Sequence, residues 1–406
     1  MEPLEAEGLQ ESVSYEPVSV KELLVEMKDT SELLIDLAYS AVLHQSDQIA
    51  HEVLELEAKM QVLQVRARMS LMLAARSPDE AEALAPVLGV VEAADTIADA
   101  AGDIAKIVIE EIGLPPSMRG ALSTAVEQLV RGTVADDSPY VGQTLQEIDL
   151  ESKTGIRAIA VRRGDEWIRN PGPETTIEAG DVTLLRGPEA AIGEVYERLT
   201  GDAYDPEPAP EPGMADLERA VDSIVLMKNL SELAVDIAYG AILFDNKALA
   251  REVANLEVEV DALQSRFEAW VLQAAAEADD PVALRGLIHL GISTEVISDA
   301  AVSISEGVLR NIGVHPVVEL AVQESDELIA RVEIDADSEL AGTEIVGGVP
   351  AVDVSTSVIA IRRPEDGWLV GPDMDTTLRA GDVLITKGTR TSAAEFESLA
   401  TASSSD

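Results

Sequence analysis

The stretch SELLIDLAYSAVLH, beginning at Ser31, sets Asp36 among apolar residues, four positions after Glu32. At Ser231 the chain reads SELAVDIAYGAILF and repeats the arrangement with Glu232 and Asp236. The same spacing joins Asp95 to Asp99, Glu257 to Asp261 and Glu295 to Asp299. Carboxylates four apart rise about 6 Å along a helix and share one of its faces. Two such helices side by side would present four carboxylates to one space. Ionised oxygens gathered in that way repel unless a cation neutralises them, which is how hard metals are held. The plainer alternative is that Asp36 hydrogen-bonds Tyr39, Ser40 or a neighbouring helix and fixes register. A second recurring feature is a pair of arginines, Arg162-Arg163 and Arg362-Arg363, at the ends of β-rich segments. Guanidinium pairs suit phosphate-like anions, and they equally suit local Asp and Glu.

Little else in the sequence offers catalysis. There is no cysteine, so disulfides, thiolate metal sites and cysteine nucleophiles are excluded. The histidines (His44, His51, His289, His315) do not recur as aligned pairs and read as surface or core residues. No Ser-His-Asp order is shared by the two halves, and no phosphate-cradling glycine loop is present. The chain reads as a non-enzyme.

The elements that must position these residues come twice. Met27-Lys28 matches Met227-Lys228, Tyr39 matches Tyr239, and Arg162-Arg163 matches Arg362-Arg363. After a one-residue insertion, Gly180-Asp181 matches Gly381-Asp382. The first half of each repeat has apolar residues at spacings of three and four, the helical period. The breaks near Gln45-Ser46 and Ser77-Pro78 divide the first copy into helices over about 20–43, 46–75 and 78–111, an antiparallel three-helix unit. Gly113 followed by Pro115-Pro116 ends it. From about residue 134 the period shortens, and GIRAIAVRR, EWIRNP and DVTLLRG read as strands between turns. A short helix closes the unit. The expected fold class is therefore α+β multidomain, in two tandem repeats, each a three-helix bundle followed by a small α+β domain. The expected boundaries are a disordered terminus over 1–17, a bundle over 18–116 and an α+β domain over 134–200. A Pro-rich acidic linker over 201–213 follows, then a bundle over 214–316 and an α+β domain over 328–400.

Composition limits the partners. Of the 406 residues 29 are Lys or Arg and 76 are Asp or Glu, a formal charge of −47, while 46% are hydrophobic. That apolar share supplies cores and argues against a wholly disordered acidic chain. Such a charge strains a compact fold by self-repulsion, which concentrated salt screens. With lysine scarce and aromatics few, the composition matches the cytoplasmic proteins of a salt-in halophilic archaeon. Nucleic-acid binding, which needs clustered basic residues, is not expected. No apolar stretch approaches the ~18–20 residues of a membrane span, and the acidic N-terminus is unlike a signal peptide. A cytoplasmic protein without direct membrane insertion is expected.

Two resemblances sharpen this reading. The segment with Gly142, Thr144 and Leu145, the strand ending in Arg162-Arg163, and Ala179-Gly180-Asp181-Val182 before a last strand resembles the C-terminal domain of TrkA-type regulators, called RCK-C or TrkA-C. The likeness covers about 134–199 and 332–399. The helical half, with its Glu/Asp-x-x-x-Asp motifs, resembles PhoU, a family of helical-bundle regulators of phosphate uptake. No Gly-x-Gly-x-x-Gly lies between a strand and a helix, so no nicotinamide or ATP site is expected. The combination implies a regulatory subunit that partners a membrane cation channel or transporter, most naturally for potassium, and lies at the inner face of the membrane through that partner. The alternative is an adaptor for phosphate transport and signalling. The PhoU likeness implies a divalent or transition metal ion at Glu32, Asp36, Asp95 and Asp99, and at Glu232, Asp236, Glu295 and Asp299. The RCK-C likeness implies a small nucleotide ligand, cyclic di-AMP among them, near Arg162, Arg163, Arg362 and Arg363. It leaves open a homo-oligomer, or a pairing of the two RCK-C units within one chain.

Overall fold

The computed structural model describes residues 18–122, 127–164, 166–204, 215–310, 312, 315–325, 327–346, 349–352, 354, 356–363, 367–370 and 376–401. The expected disorder of 1–17 and residues 205–213 of the expected linker lie outside these residues.

The first bundle is α1 (Val20–His44), α2 (Asp47–Ala74) and α3 (Pro78–Ile109). Each boundary has a local cause. Ser19 and Glu22 form a reciprocal capping box at the start of α1, and Gln45 ends it in the left-handed region at φ 46°. Ser46 caps α2, while Ser77 caps α3 with Pro78 in its first turn. After α4 (Pro116–Leu122) comes an antiparallel sheet of β1 (Glu127–Thr133), β2 (Arg157–Arg163), β3 (Glu166–Arg169) and β4 (Val182–Pro188), in the order β1-β4-β2-β3. Two short helices, α5 (Leu145–Ile148) and α6 (Leu150–Thr154), precede β2, and α7 (Glu189–Thr200) follows β4.

The second copy repeats this plan. Its bundle is α8 (Ala215–Leu243), α9 (Lys247–Glu277) and α10 (Arg285–Leu309), followed by α11 (Pro316–Glu324). Its main sheet contains β5 (Leu328–Glu333), β8 (Ser357–Arg363), β9 (Gly367–Val370) and β11 (Val383–Gly388), ordered β5-β11-β8-β9. Between β5 and β11 a small three-stranded sheet forms from β6 (Glu344–Val346), β7 (Val349–Pro350) and β10 (Thr376–Thr377). It takes the place of α5 and α6. The chain closes with α12 (Arg390–Ala400).

One hydrophobic core runs through both bundles, joining Leu34, Leu37 and Ile97 to Ala234, Ile237 and Ile297. Each α+β domain keeps a smaller core of its own. Helix α10 packs on α3, α8 and α9. By length and composition the segment Pro281–Leu309 would also suffice to cross a membrane, contrary to the sequence expectation. Its placement explains its apolarity, since α10 supplies core to both bundles. The connecting helices also cross between copies: α4 rests on α8, and α11 rests on α1.

The copies meet reciprocally. Lys28 Nζ lies 5.1 Å from the Tyr239 ring centroid, and Lys228 Nζ lies 5.3 Å from that of Tyr39. Each lysine is buried and also paired with its own helix's acid, Lys28 with Glu32 at 2.8 Å and Lys228 with Glu232 at 2.6 Å. A cation desolvated over an aromatic face is held by about 2 kcal/mol. Duplicated Met-Lys and Tyr positions thus fasten one bundle to the other.

Candidate functional site

Asp36 is 6% exposed because α1 turns that face toward the first sheet. Its partner comes from β4: Arg186 Nη1 donates to Asp36 Oδ2 at 2.8 Å. The second copy repeats the contact with a lysine, as Lys387 Nζ of β11 donates to Asp236 Oδ1 at 2.8 Å. Glu327, just before β5 and also buried, links the two contacts. Arg186 Nη2 donates to Glu327 Oε1, Lys387 Nζ lies 3.3 Å from Glu327 Oε2, and Arg157 lies 3.8 Å from Glu327. A line of ion pairs therefore runs from α1 through β4, Glu327 and β11 to α8, touching all four domains.

The electrostatics follow from this arrangement. Burial alone would raise the Glu327 carboxyl, but Arg186, Lys387, Arg157 and Lys28 outweigh it and hold the group well below the usual carboxylate range. Burial would likewise lower Lys387, yet Asp236, Glu327 and Glu32 raise it well above the ordinary lysine value. Asp236 is raised, because burial prevails over the pull of Lys387. Removing one member of a buried pair leaves an uncompensated charge and costs about 3–5 kcal/mol.

The structure does not assemble the expected metal quartets. Glu32, Asp36, Glu232 and Asp236 are neutralised by Lys28, Arg186, Lys228 and Lys387. Asp95 and Asp99 belong to a different face, where α3 meets α2. Gln64 of α2 donates to Asp95 there, and Asp99 raises the Glu57 carboxyl after burial has done so. In the second copy Glu295 and Asp299 lie with acids of α9. Among the described residues one trio could share a cation: Glu257, Asp261 and Asp299 bring ligand oxygens within 4.8 Å of one another. Burial, then Asp299, Asp261 and Glu257, push the nearby Glu295 up to about 6. On the first copy burial and then Asp99 push Asp95 up to about 6.

One arginine of each pair takes the local-acid alternative. Arg163 Nε and Nη2 grip Asp181 at 2.9 and 2.8 Å, and Nη2 also donates to the Thr176 carbonyl at 2.7 Å. Arg363 repeats this with Asp382 at 3.2 and 3.3 Å and the Thr377 carbonyl at 2.7 Å. Both aspartates are 1% exposed and also accept a backbone N–H three residues upstream, from Glu178 and Arg379. The Arg-Arg strand and the Ala-Gly-Asp-Val turn are two halves of one internal clasp. Arg162 donates to the Gly164 carbonyl at 2.9 Å, and Arg362 is exposed.

A cleft does open between the two α+β domains, elsewhere. Its volume is about 310 Å³, and its first-copy wall includes Leu145, Ile156, Arg157 and Pro171. Thr389 and Thr391, at the start of α12, supply the second-copy wall. A volume of this size is at the lower end for small-molecule sites, and a helix N-terminus favours anions. Arg157 and Glu151 also line a smaller cavity beside Glu327, Arg186 and Lys387. The missed residues are thus Arg186, Lys387, Glu327 and Arg157. A signal existed: both copies place a cation late in the apolar last strand, in VTLLRG and VLITKG.

Comparison with known proteins names the parts. The TrkA-C domain family matches residues 129–200 and 329–401, and the PhoU domain family matches 24–108 and 224–308. The chain is built of PhoU and TrkA-C domains, each present twice in tandem. Both families are regulatory domains. An uncharacterized transporter of Synechocystis sp. is 29% identical over 73 residues, which are 18% of this chain and 12% of that protein. The PhoU structure from Pseudomonas aeruginosa aligns at 15% identity and a TM-score of 0.41, covering 72% of this chain and 96% of its own. The GsuK RCK domain aligns at 14% identity and a TM-score of 0.16, covering 70% and 68%.

Proposed function

We propose that this chain is a regulatory subunit of a membrane cation transport system, with potassium as the ion. The observation that carries the reading is the fusion of paired TrkA-C domains to paired PhoU bundles through one buried ion chain. That layout suits a protein that senses in one domain pair and acts through the other. The cleft between the TrkA-C domains is the sensing site. Its cation, its helix N-terminus and its apolar floor fit a phosphorylated ligand with a flat ring, for which cyclic di-AMP is the first candidate. The trio Glu257, Asp261 and Asp299 is the place for a divalent cation. The matching transporter segment supports a membrane partner.

Capture of the tagged chain from native membranes in high salt tests the main claim. Recovery of a cation channel or transporter supports it, and recovery of a phosphate permease instead would replace it with the phosphate-adaptor reading that the PhoU domains also allow. Calorimetry with cyclic di-AMP at multimolar KCl tests the ligand: heat that disappears in Thr391→Trp, which fills the cleft, is expected, and no heat in the native protein excludes this nucleotide.

A further inference from the structure

Arg157 stands between the cleft and the ion chain. Its guanidinium lies 3.9 Å from Glu151, which faces the cleft, and 3.8 Å from Glu327, the central acid of the chain. It lines both the larger cleft and the small cavity around Glu327. The second copy has Ser357 at the corresponding position, so this bridge exists on one side only. Glu327 in turn follows the end of α11 closely, and α11 packs on α1. There Ser325 accepts from Lys28 Nζ at 2.7 Å and donates to Asp29 at 2.5 Å, and Lys28 lies over the Tyr239 ring. A contiguous set of contacts leads from the cleft to the seam between the bundles.

We infer that Arg157 is a positioning residue that passes the state of the TrkA-C cleft to the bundle seam through Glu327 and α11. This deepens the sensing role proposed above and rests on it. An anionic group in the cleft competes with Glu327 for the guanidinium. When Arg157 turns to the ligand, Glu327 keeps its contacts with Arg186 and Lys387, each of which also holds an acid on one bundle. The balance around Glu327 then shifts, and α11, which ends three residues before Glu327, is the element that carries the shift to α1. Coupling of this kind requires a connected physical path whose two ends bias the same element. Here that element is α11.

Hydrogen exchange on the full chain tests the relay with and without ligand. In Arg157→Gln without ligand, amides of α11 and of the facing part of α1 should exchange about tenfold faster, with α7 unchanged as a control on the same domain. Arg157→Lys keeps the charge and should exchange like the native protein, which separates the relay from mere loss of packing. Cyclic di-AMP added to the native chain should produce the same change in α11, and added to Arg157→Gln should produce none beyond it. Unaltered α11 exchange in Arg157→Gln, or a change confined to the start of β2, overturns the relay whatever the ligand. Absence of cyclic di-AMP binding by calorimetry would count against the proposed ligand alone, because the ligand-free comparison reads the relay by itself.

Discussion

The acidic faces of the two bundles come from one motif and solve its repulsion differently. On the first, Lys106 lies 2.8 Å from Asp103 and 4.0 Å from Glu57, while Gln64 donates to Asp95. A Cβ at Gly102 would collide with the Glu57 carboxylate, so that glycine lets Glu57 lie flat on α3 toward the lysine. On the second, Glu306 replaces Lys106, Val302 replaces Gly102 and Asp261 replaces Gln61. The cation is lost, the flat approach is blocked and one more acid is added. The first face carries a lysine among its acids; among the described residues the trio on the second has no ion pair, and a cation meets only Glu306, from Arg310. Duplication preserved the helices and let the charge balance move from the chain to its surroundings.

The comparison can be broken in several ways. At the junction the copies behave alike, so Arg186→Met and Lys387→Met should each cost about 3–5 kcal/mol in urea unfolding. A loss under about 1 kcal/mol for either would show that its acid is already satisfied elsewhere. On the faces they differ. A divalent ion such as Mn²⁺ at a hundredfold excess over its Kd should stabilise the chain by about 2.7 kcal/mol, an increment that Asp261→Asn removes. Converting the first face with Gln61→Asp and Lys106→Glu should add a second increment. An undiminished response in Asp261→Asn would place the ion elsewhere.

Two smaller effects concern protons. Asp95 and Glu295 are raised to about 6, so the folded chain binds their protons more readily than the unfolded chain. Their stabilisation is full below the ordinary carboxyl range near pH ~4 and is lost as pH rises through about 6. Glu327 is held low and works in the opposite sense, contributing above the ordinary range and losing that contribution as pH falls through its folded value. The melting temperature should therefore rise from pH 7 to pH 5 and drop in stronger acid. A flat profile from pH 7 to pH 5 would show that burial and the neighbouring acids do not raise these two carboxyls. Least of all, Lys106→Gln should cost about 0.5 kcal/mol at low salt and nothing at high salt, as exposed ion pairs do.

Much of the fold was legible. The three-and-four spacing, Ser46, Ser77 and Pro78 mark the helices because caps and periodicity are local signals. The recurrence of Glu32 and Asp36 at 232 and 236 singled these acids out, with a cation site and a register-fixing role both open. Their partners were not legible, since Arg186 is 150 residues from Asp36 and Lys387 is 151 from Asp236. Spacing along one helix cannot tell which neighbour will cover a face, and α1 and α8 turned Asp36 and Asp236 to sheet residues rather than to the third helix of each bundle. The arginine pairs were ambiguous for a related reason: local acids were allowed for them, but Asp181 and Asp382 read as turn residues and not as the particular counter-charges of Arg163 and Arg363.

The exchanged stacking of Lys28 on Tyr239 and Lys228 on Tyr39 is the pattern of an isologous contact, in which a patch on one subunit meets its own equivalent. Here both patches belong to a single polypeptide. Cutting the backbone between Tyr204 and Ala215 would leave the shared core and both stacks in place and change only the molecularity of their encounter. The nicked halves should then elute together when concentrated and part on dilution. The concentration at which they part, set against the cohesion of the intact chain, measures the effective molarity that the tether confers.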